Sequence, residues 1–235
     1  MTFTRFVLPA LALLTTPVAA QTVLQPGSDA LVEAPVQSGE YIVQMVTPQL
    51  QDIGTISTTE ALIDGHLVMT SKVMIPMAGA NQTDSTVVAW PSLSPVYGTQ
   101  TEPNEFKELT FADGRATGTD VEGSETREVD VELTEADFGP GITRRITQSL
   151  PFEEGYVATY TQIEGDGDRS DTQLTVMNTE ALTHNGAERT VWVIQEVEVE
   201  SNRPRFTYRV DAETREMLQM EFSPQPGVVI HITAQ

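Results

Sequence analysis

From Glu40 onward, apolar and polar residues alternate with a period of two, and turn-forming residues interrupt the alternation at short, regular intervals. In an extended strand successive side chains point to opposite faces. The rhythm therefore predicts a single antiparallel β domain over residues 40–235. Candidate strands are Tyr41–Val46, Thr55–Ile63, His66–Ile75, Ser85–Trp90, Phe106–Phe111, Arg115–Asp120 and Thr126–Leu133. They continue with Tyr156–Ile163, Thr172–Asn178, Thr190–Glu200, Arg205–Val210, Glu216–Phe222 and Val228–Ala234. Asp64-Gly65 and Asp113-Gly114 are hairpin turns, because residue pairs that tolerate positive φ match the strand twist. Asn185-Gly186 reads as part of a wider connection.

The C-terminal third predicts a four-stranded meander with a definite register. A Ser201–Pro204 loop sets Val199 against Phe206 and Val197 against Tyr208, with Glu200 meeting Arg205 and Glu196 meeting Arg209 on the other face. The next two turns set Tyr208 against Leu218, Phe206 against Met220, Met220 against Ile230 and Leu218 against Ile232. All three turns keep one face apolar, and a one-residue slip would expose a whole strand's apolar set.

Two stretches break the β rhythm. Thr134–Phe138 and Ile142–Leu150 allow one or two short helices around Gly139-Pro140-Gly141, with Ile142, Ile146 and Leu150 near helical spacing and Pro151 ending the run. Gln21–Gly39 carries Pro26, Gly27, Pro35 and Gly39 without sustained periodicity and reads as a flexible leader. Before it, residues 1–20 have Arg5 as the only charge, an apolar stretch from Phe6 to Leu14, and Val18-Ala19-Ala20 as a small-residue cleavage site. That is the pattern of a secretory signal peptide. Thr15, Thr16 and Pro17 cut the apolar stretch short of the roughly 20 residues a membrane helix needs.

Composition narrows the classes. With 34 acidic against 13 basic residues the net charge is −21, which argues against nucleic acid as a partner, because counterion release requires clustered Lys and Arg. The absence of cysteine removes thiol chemistry, Cys-based zinc sites and disulfides. An apolar fraction of 39% is sufficient for a packed core.

The candidate chemistry is thin. His66, His184 and His231 are too widely spaced for a helical zinc motif, and neither a nucleophile elbow nor a phosphate loop occurs. His231 points away from the proposed core, opposite Gln219. Glu164–Asp171 alternates carboxylates and glycines like a calcium loop but fails the required Gly and Glu positions in both registers, so it reads as an acidic hairpin tip. No catalytic residue, metal site or cofactor is assigned. Arg203, Arg205, Arg209 and Arg215 form a basic cluster for which cross-strand pairing with glutamates is the structural reading. The methionines Met45, Met69, Met74, Met77, Met177, Met217 and Met220 suit both an ordinary core and a surface that repacks around apolar ligands.

Three passages carry a resemblance: the opening strand Gly39-Glu40-Tyr41-Ile42-Val43, the passage Ser149-Leu150-Pro151-Phe152-Glu153-Glu154-Gly155-Tyr156, and the closing strands Phe206–Asp211, Arg215–Leu218 and Pro226–Ile230. Over residues 40–235 the chain resembles a family of exported bacterial proteins without settled activity, grouped by fold with the periplasmic lipoprotein-localisation factors. The resemblance implies a mainly β fold: a strongly curved antiparallel sheet, a half-open barrel, with short helices against its concave side. Carriers of that fold bind acyl chains in the cavity.

The function expected is that of a soluble periplasmic envelope protein holding a lipid or other apolar group on a concave face. The apolar face is Phe206, Tyr208, Leu218, Met220, Phe222, Ile230 and Ile232, with Ile142, Ile146 and Leu150 as a lid. A protein-interaction module of the envelope, with Arg203–Arg215 as its surface, is the second expectation, and a hydrolase the third. An outer-membrane barrel is disfavoured, because Glu128, Asp130, Glu132, Glu196 and Glu198 fall at outward positions where lipid contact demands an apolar band.

Overall fold

The computed structural model describes residues 21–47 and 49–235, so the export signal expected over residues 1–20 lies outside the described residues. Strands follow one another almost without interruption. The first nine are β1 (Thr22–Val23), β2 (Gly39–Thr47), β3 (Gln49–Ile63), β4 (His66–Ile75), β5 (Ala80–Ala89), β6 (Pro95–Glu102), β7 (Glu105–Ala112), β8 (Arg115–Glu122) and β9 (Glu125–Glu132). After β10 (Asp137–Phe138) comes the helix α1 (Thr143–Gln148). The chain then forms β11 (Val157–Ile163), β12 (Arg169–His184), β13 (Ala187–Glu198), β14 (Arg203–Asp211), β15 (Met217–Gln225) and β16 (Val228–Ala234).

All of these strands belong to one curved sheet. Chain neighbours pair antiparallel from β11 through β16 and again from β2 through β9, and β16 lies antiparallel beside β2, so the C-terminal strand joins the two runs. The short β1 and β10 add in parallel to the outer edge of β11. Among the described residues no backbone ladder joins β9 to β11, so the sheet is not closed into a barrel. Side chains bridge that gap instead. Ile163 packs with Leu109, Phe111, Ala116 and Val129. Arg127 donates to the Asp166 carbonyl at 2.7 Å, and Arg169 donates to the Glu132 carbonyl at 2.5 Å.

The turns follow from local chemistry. Asp64-Gly65 and Asp113-Gly114 adopt positive φ at both residues, as expected. Asn185-Gly186 does the same, and His184 pairs directly with Ala187, so this is a two-residue turn rather than a wide connection. Of the two stretches that break the rhythm, only the second becomes an α-helix. At six residues α1 is too short to be stable alone; Ile142, Ile146 and Leu150 anchor it in the main core. Thr134–Phe138 instead forms a turn closed by the Thr134 N–H on the Asp137 carboxylate at 2.8 Å, followed by β10.

Residues 21–39 are docked against the sheet rather than projecting as a leader. Leu24 and Ala34 are buried, the Leu24 N–H bonds the Thr159 carbonyl, and Val32 N–H bonds the Ser149 carbonyl. The absence of periodicity there reflects packing of irregular backbone, a state that hydrophobic patterning does not encode.

The meander is present, with register corrections caused by β-bulges. Tyr208 pairs with Ile194, not with Val197, and Val197 pairs with Pro204. The odd displacement arises from a tighter turn and a bulge between Gln195 and Val197, and it reverses which residues of β13 face inward. Glu196, expected outward against Arg209, is buried, while Val199 is exposed. In the next two hairpins Tyr208 pairs with Met220, Met220 with Ile232, and Phe222 with Ile230. These displacements are even, so the same face stays apolar. A bulge at Leu218 brings Met217 into the interior cluster instead, and Leu218 is buried outside it.

Candidate functional site

The concave side of the sheet is occupied unequally. At one end the Gly139-Pro140-Gly141 passage and α1 fill it. A Cβ on Gly98 would lie 2.7 Å from Pro140 Cγ, and one on Gly139 would lie 2.9 Å from Pro95 Cβ. Glycine at these two positions lets the passage rest directly on β6. Behind it Ile142, Ile146 and Leu150 are fully buried beside Phe138, Tyr160, Ile194 and Tyr208. The segment expected as a lid is thus an internal plug, because its apolar stripe is enclosed on all sides.

Beyond the plug the apolar face continues along β15 and β16 and is less completely buried. Ile230 and Ile232 are buried with Tyr41 and Val43, while Met220, Phe222 and Phe206 are half-buried. The Phe206 and Phe222 rings lie 5.1 Å apart, and Phe206 stacks on Tyr208 at 5.8 Å. Six of the seven residues expected on this face are brought together; Leu218 is the exception.

Two cavities line this half. One, of about 200 Å³, lies between α1 and the sheet and is walled by Ile56, Met69, Met220, Asp84, Arg144 and Arg145. The other, of about 260 Å³, is an open groove walled by Phe206, Phe222, Pro224 and the charged side chains of Glu198, Arg203 and Arg205. Met220 borders the first and Phe222, two residues along β15, the second. A wider cavity of about 440 Å³ opens elsewhere, between residues 27–33 and the Trp90–Leu93 loop.

The interior polar groups are specific. The Tyr208 hydroxyl donates to the buried Glu196 carboxylate, and Arg205 Nε lies 3.6 Å from its other oxygen. Burial pushes the Glu196 carboxyl above the usual range, opposed by the Tyr208 hydrogen bond and by Arg205. Tyr160 donates to Thr143 Oγ1 at 2.7 Å, and desolvation raises its phenol well above normal. Arg144 pairs with the fully buried Glu60 side chain at 2.5 Å. Arg145 donates to the Ala34 and Pro35 carbonyls and lies over the Trp90 ring at 4.8 Å. Arg144, Arg145 and Glu60 were not expected at the site. The one signal was a pair of adjacent arginines inside an apolar helical stretch of a strongly acidic chain.

The remaining expected features lie elsewhere. His66 starts β4 and His184 ends β12, while His231 sits within β16, opposite Glu221 rather than Gln219 and 3.4 Å from its carboxylate. None of the three lines either cavity on the concave face. Glu164–Asp168 forms the β11–β12 hairpin tip, with Glu164 accepting from Gln162 at 2.8 Å and from Ser170. Among the described residues no group of His, Asp and Glu converges as a metal site, and no helix is long and apolar enough to cross a membrane.

Comparison with known proteins agrees with this architecture. A crystallised beta-barrel-like protein of a domain of unknown function, DUF1849, from Brucella abortus is similar in fold, with a TM-score of 0.53. It shares 9% identity over 84% of this chain and 94% of that one. A crystallised hypothetical lipoprotein, YmcC from Escherichia coli, matches at a TM-score of 0.33 and 14% identity, over 88% of this chain and 90% of that one. No curated protein matches the sequence. A family described as a protein of unknown function, DUF3108, matches residues 37–233, and the chain belongs to that family.

Proposed function

We propose that this is a soluble, exported protein of the bacterial periplasm whose concave sheet face holds a lipid or another apolar ligand. The observation that carries the reading is the uneven filling of the interior. Residues beneath the plug are fully buried, whereas Phe206, Met220 and Phe222, on the same face, border two cavities. Ligand sites are concave and mainly apolar, and the two cavities lie at neighbouring positions of one apolar strand face, Met220 on the first and Phe222 on the second. Export is supported by the signal-peptide pattern of residues 1–20.

The interaction-module reading is less well supported, because three of the four arginines of its cluster have partners within the chain, while Arg203 is exposed. Arg205 faces Glu196, Arg209 pairs with Glu180 and Glu221, and Arg215 donates to the Gln148 and Leu150 carbonyls. Native mass spectrometry of protein released from the periplasm tests the proposal. A bound species of lipid mass is expected, and Phe222→Glu is expected to weaken its retention about tenfold or more, since a buried unpaired carboxylate would face the chain. A bare polypeptide mass, with no uptake of added fatty alcohol, contradicts the proposal.

A further inference from the structure

We infer that the ligand of the concave face is an amphiphile with an anionic head group, a carboxylate or phosphate, held by Arg144 with the charge of the buried Arg145 behind it, its tail following Met220 towards Phe222 and Phe206. This rests on the apolar-ligand reading and adds the head-group chemistry to it.

The placement of charge motivates the inference. In a chain with only 13 basic residues against 34 acidic ones, two consecutive arginines line the inner cavity opposite Ile56, Met69 and Met220. Among the described residues Glu60 is the one carboxylate ion-paired to either of them, at 2.5 Å from Arg144 and 3.5 Å from Arg145. One carboxylate thus faces two guanidiniums, neither of which can shed its proton. Arg145 is fully buried; two of its nitrogens reach the Ala34 and Pro35 carbonyls, but its Nε has no acceptor. That Nε is enclosed by protein, so Arg145 acts through its charge, and Arg144, with 18% of its side chain exposed, is the guanidinium that an anion can reach. The planar guanidinium fork matches carboxylate and phosphate oxygens.

The apolar half of the site starts at the same place. Met220 touches the arginine-walled cavity and stands two residues from Phe222, about 7 Å along a strand, where the second cavity begins. One molecule with a polar end and a chain spans both. Asp84 on the inner wall opposes an anion. Gln82 donates to both of its oxygens at 2.9 Å, and burial raises its carboxyl above the ordinary range against that hydrogen bond.

The test compares decanoate with decanol, which share one chain length, by calorimetric titration of the signal-free protein at neutral pH, with acetate as competitor. Decanoate is expected to bind about tenfold more tightly than decanol, the scale of a charge-assisted contact. Arg144→Gln is expected to erase that preference, acid and alcohol then binding the variant alike, Arg144→Lys to retain part of it, and Asp84→Asn to strengthen decanoate binding several-fold. Acetate is expected not to displace decanoate at equal concentration. Equal affinity of acid and alcohol in the unaltered protein, which needs no variant to fold, removes the head-group inference and leaves the apolar site standing. A preference that survives Arg144→Gln, or displacement by acetate, overturns it as well. Failure of both ligands to bind removes the apolar-ligand reading itself.

Discussion

Glu196 shows how one inserted residue changes what a strand presents. Strict alternation sends it outward with Glu198; the bulge turns it into the interior, where Tyr208 donates to it and Arg205 lies nearby. Removing the hydroxyl by Tyr208→Phe leaves a buried carboxylate less satisfied, and is expected to cost about 1–3 kcal/mol in urea unfolding at neutral pH. The pH dependence follows from the raised carboxyl. The folded chain holds this proton more tightly than the unfolded one, so the contribution is complete below the unfolded value of about 4.3 and is lost as pH rises through the folded value. Glu196→Gln is expected to flatten that part of the stability profile above about pH 4.3; an unchanged slope would show that Glu196 titrates normally. The side-chain types of this site were readable from alternation for Phe206, Tyr208, Met220, Phe222, Ile230 and Ile232. Glu196 and Met217 were not, because a bulge leaves no mark in a hydrophobic pattern yet re-aims the residues beside it.

At the level of elements, the plug and the docked leader depend on one another. Arg145 connects them: its guanidinium lies over Trp90, near Glu60, and bonds the carbonyls of Ala34 and Pro35. Arg145→Met roughly keeps the volume but frees those two buried carbonyls, while Glu60 keeps its pair with Arg144. It is expected to destabilise by about 1–3 kcal/mol and to raise amide exchange at Leu24 and Val32 ahead of the sheet. Loss of stability without earlier exchange in the leader would separate the two roles. Most strands were legible because one face of each is buried, which enforces alternation. β6 was not, since Pro95, Gly98 and a polar run obscure its pattern, and Gly98 is there to admit Pro140. The leader was illegible for a related reason. Its order comes from hydrogen bonds to other elements, and irregular backbone satisfied in this way has no periodic signature.

For the whole molecule, the decisive feature is a sheet of consecutive antiparallel strands that curls nearly into a barrel and fills only part of its own interior. The side chains that bring β9 towards the β11–β12 hairpin hold that curvature, and the plug divides the concave side into a packed half and an apolar half bordered by cavities. Curvature was expected from the family resemblance, whereas the plug's depth and the arginine wall emerge only in three dimensions. Met69 and Met220 line the inner cavity, while Met77 and Met177 are 67% and 42% exposed on other elements. Methyl-labelled methionine resonances during titration with decanol therefore report directly on where an apolar molecule enters. Occupation of the concave face predicts saturable shifts of Met220 and Met69 with Met77 and Met177 unmoved. Shifts confined to Met77 and Met177, or none at saturating decanol, would contradict it.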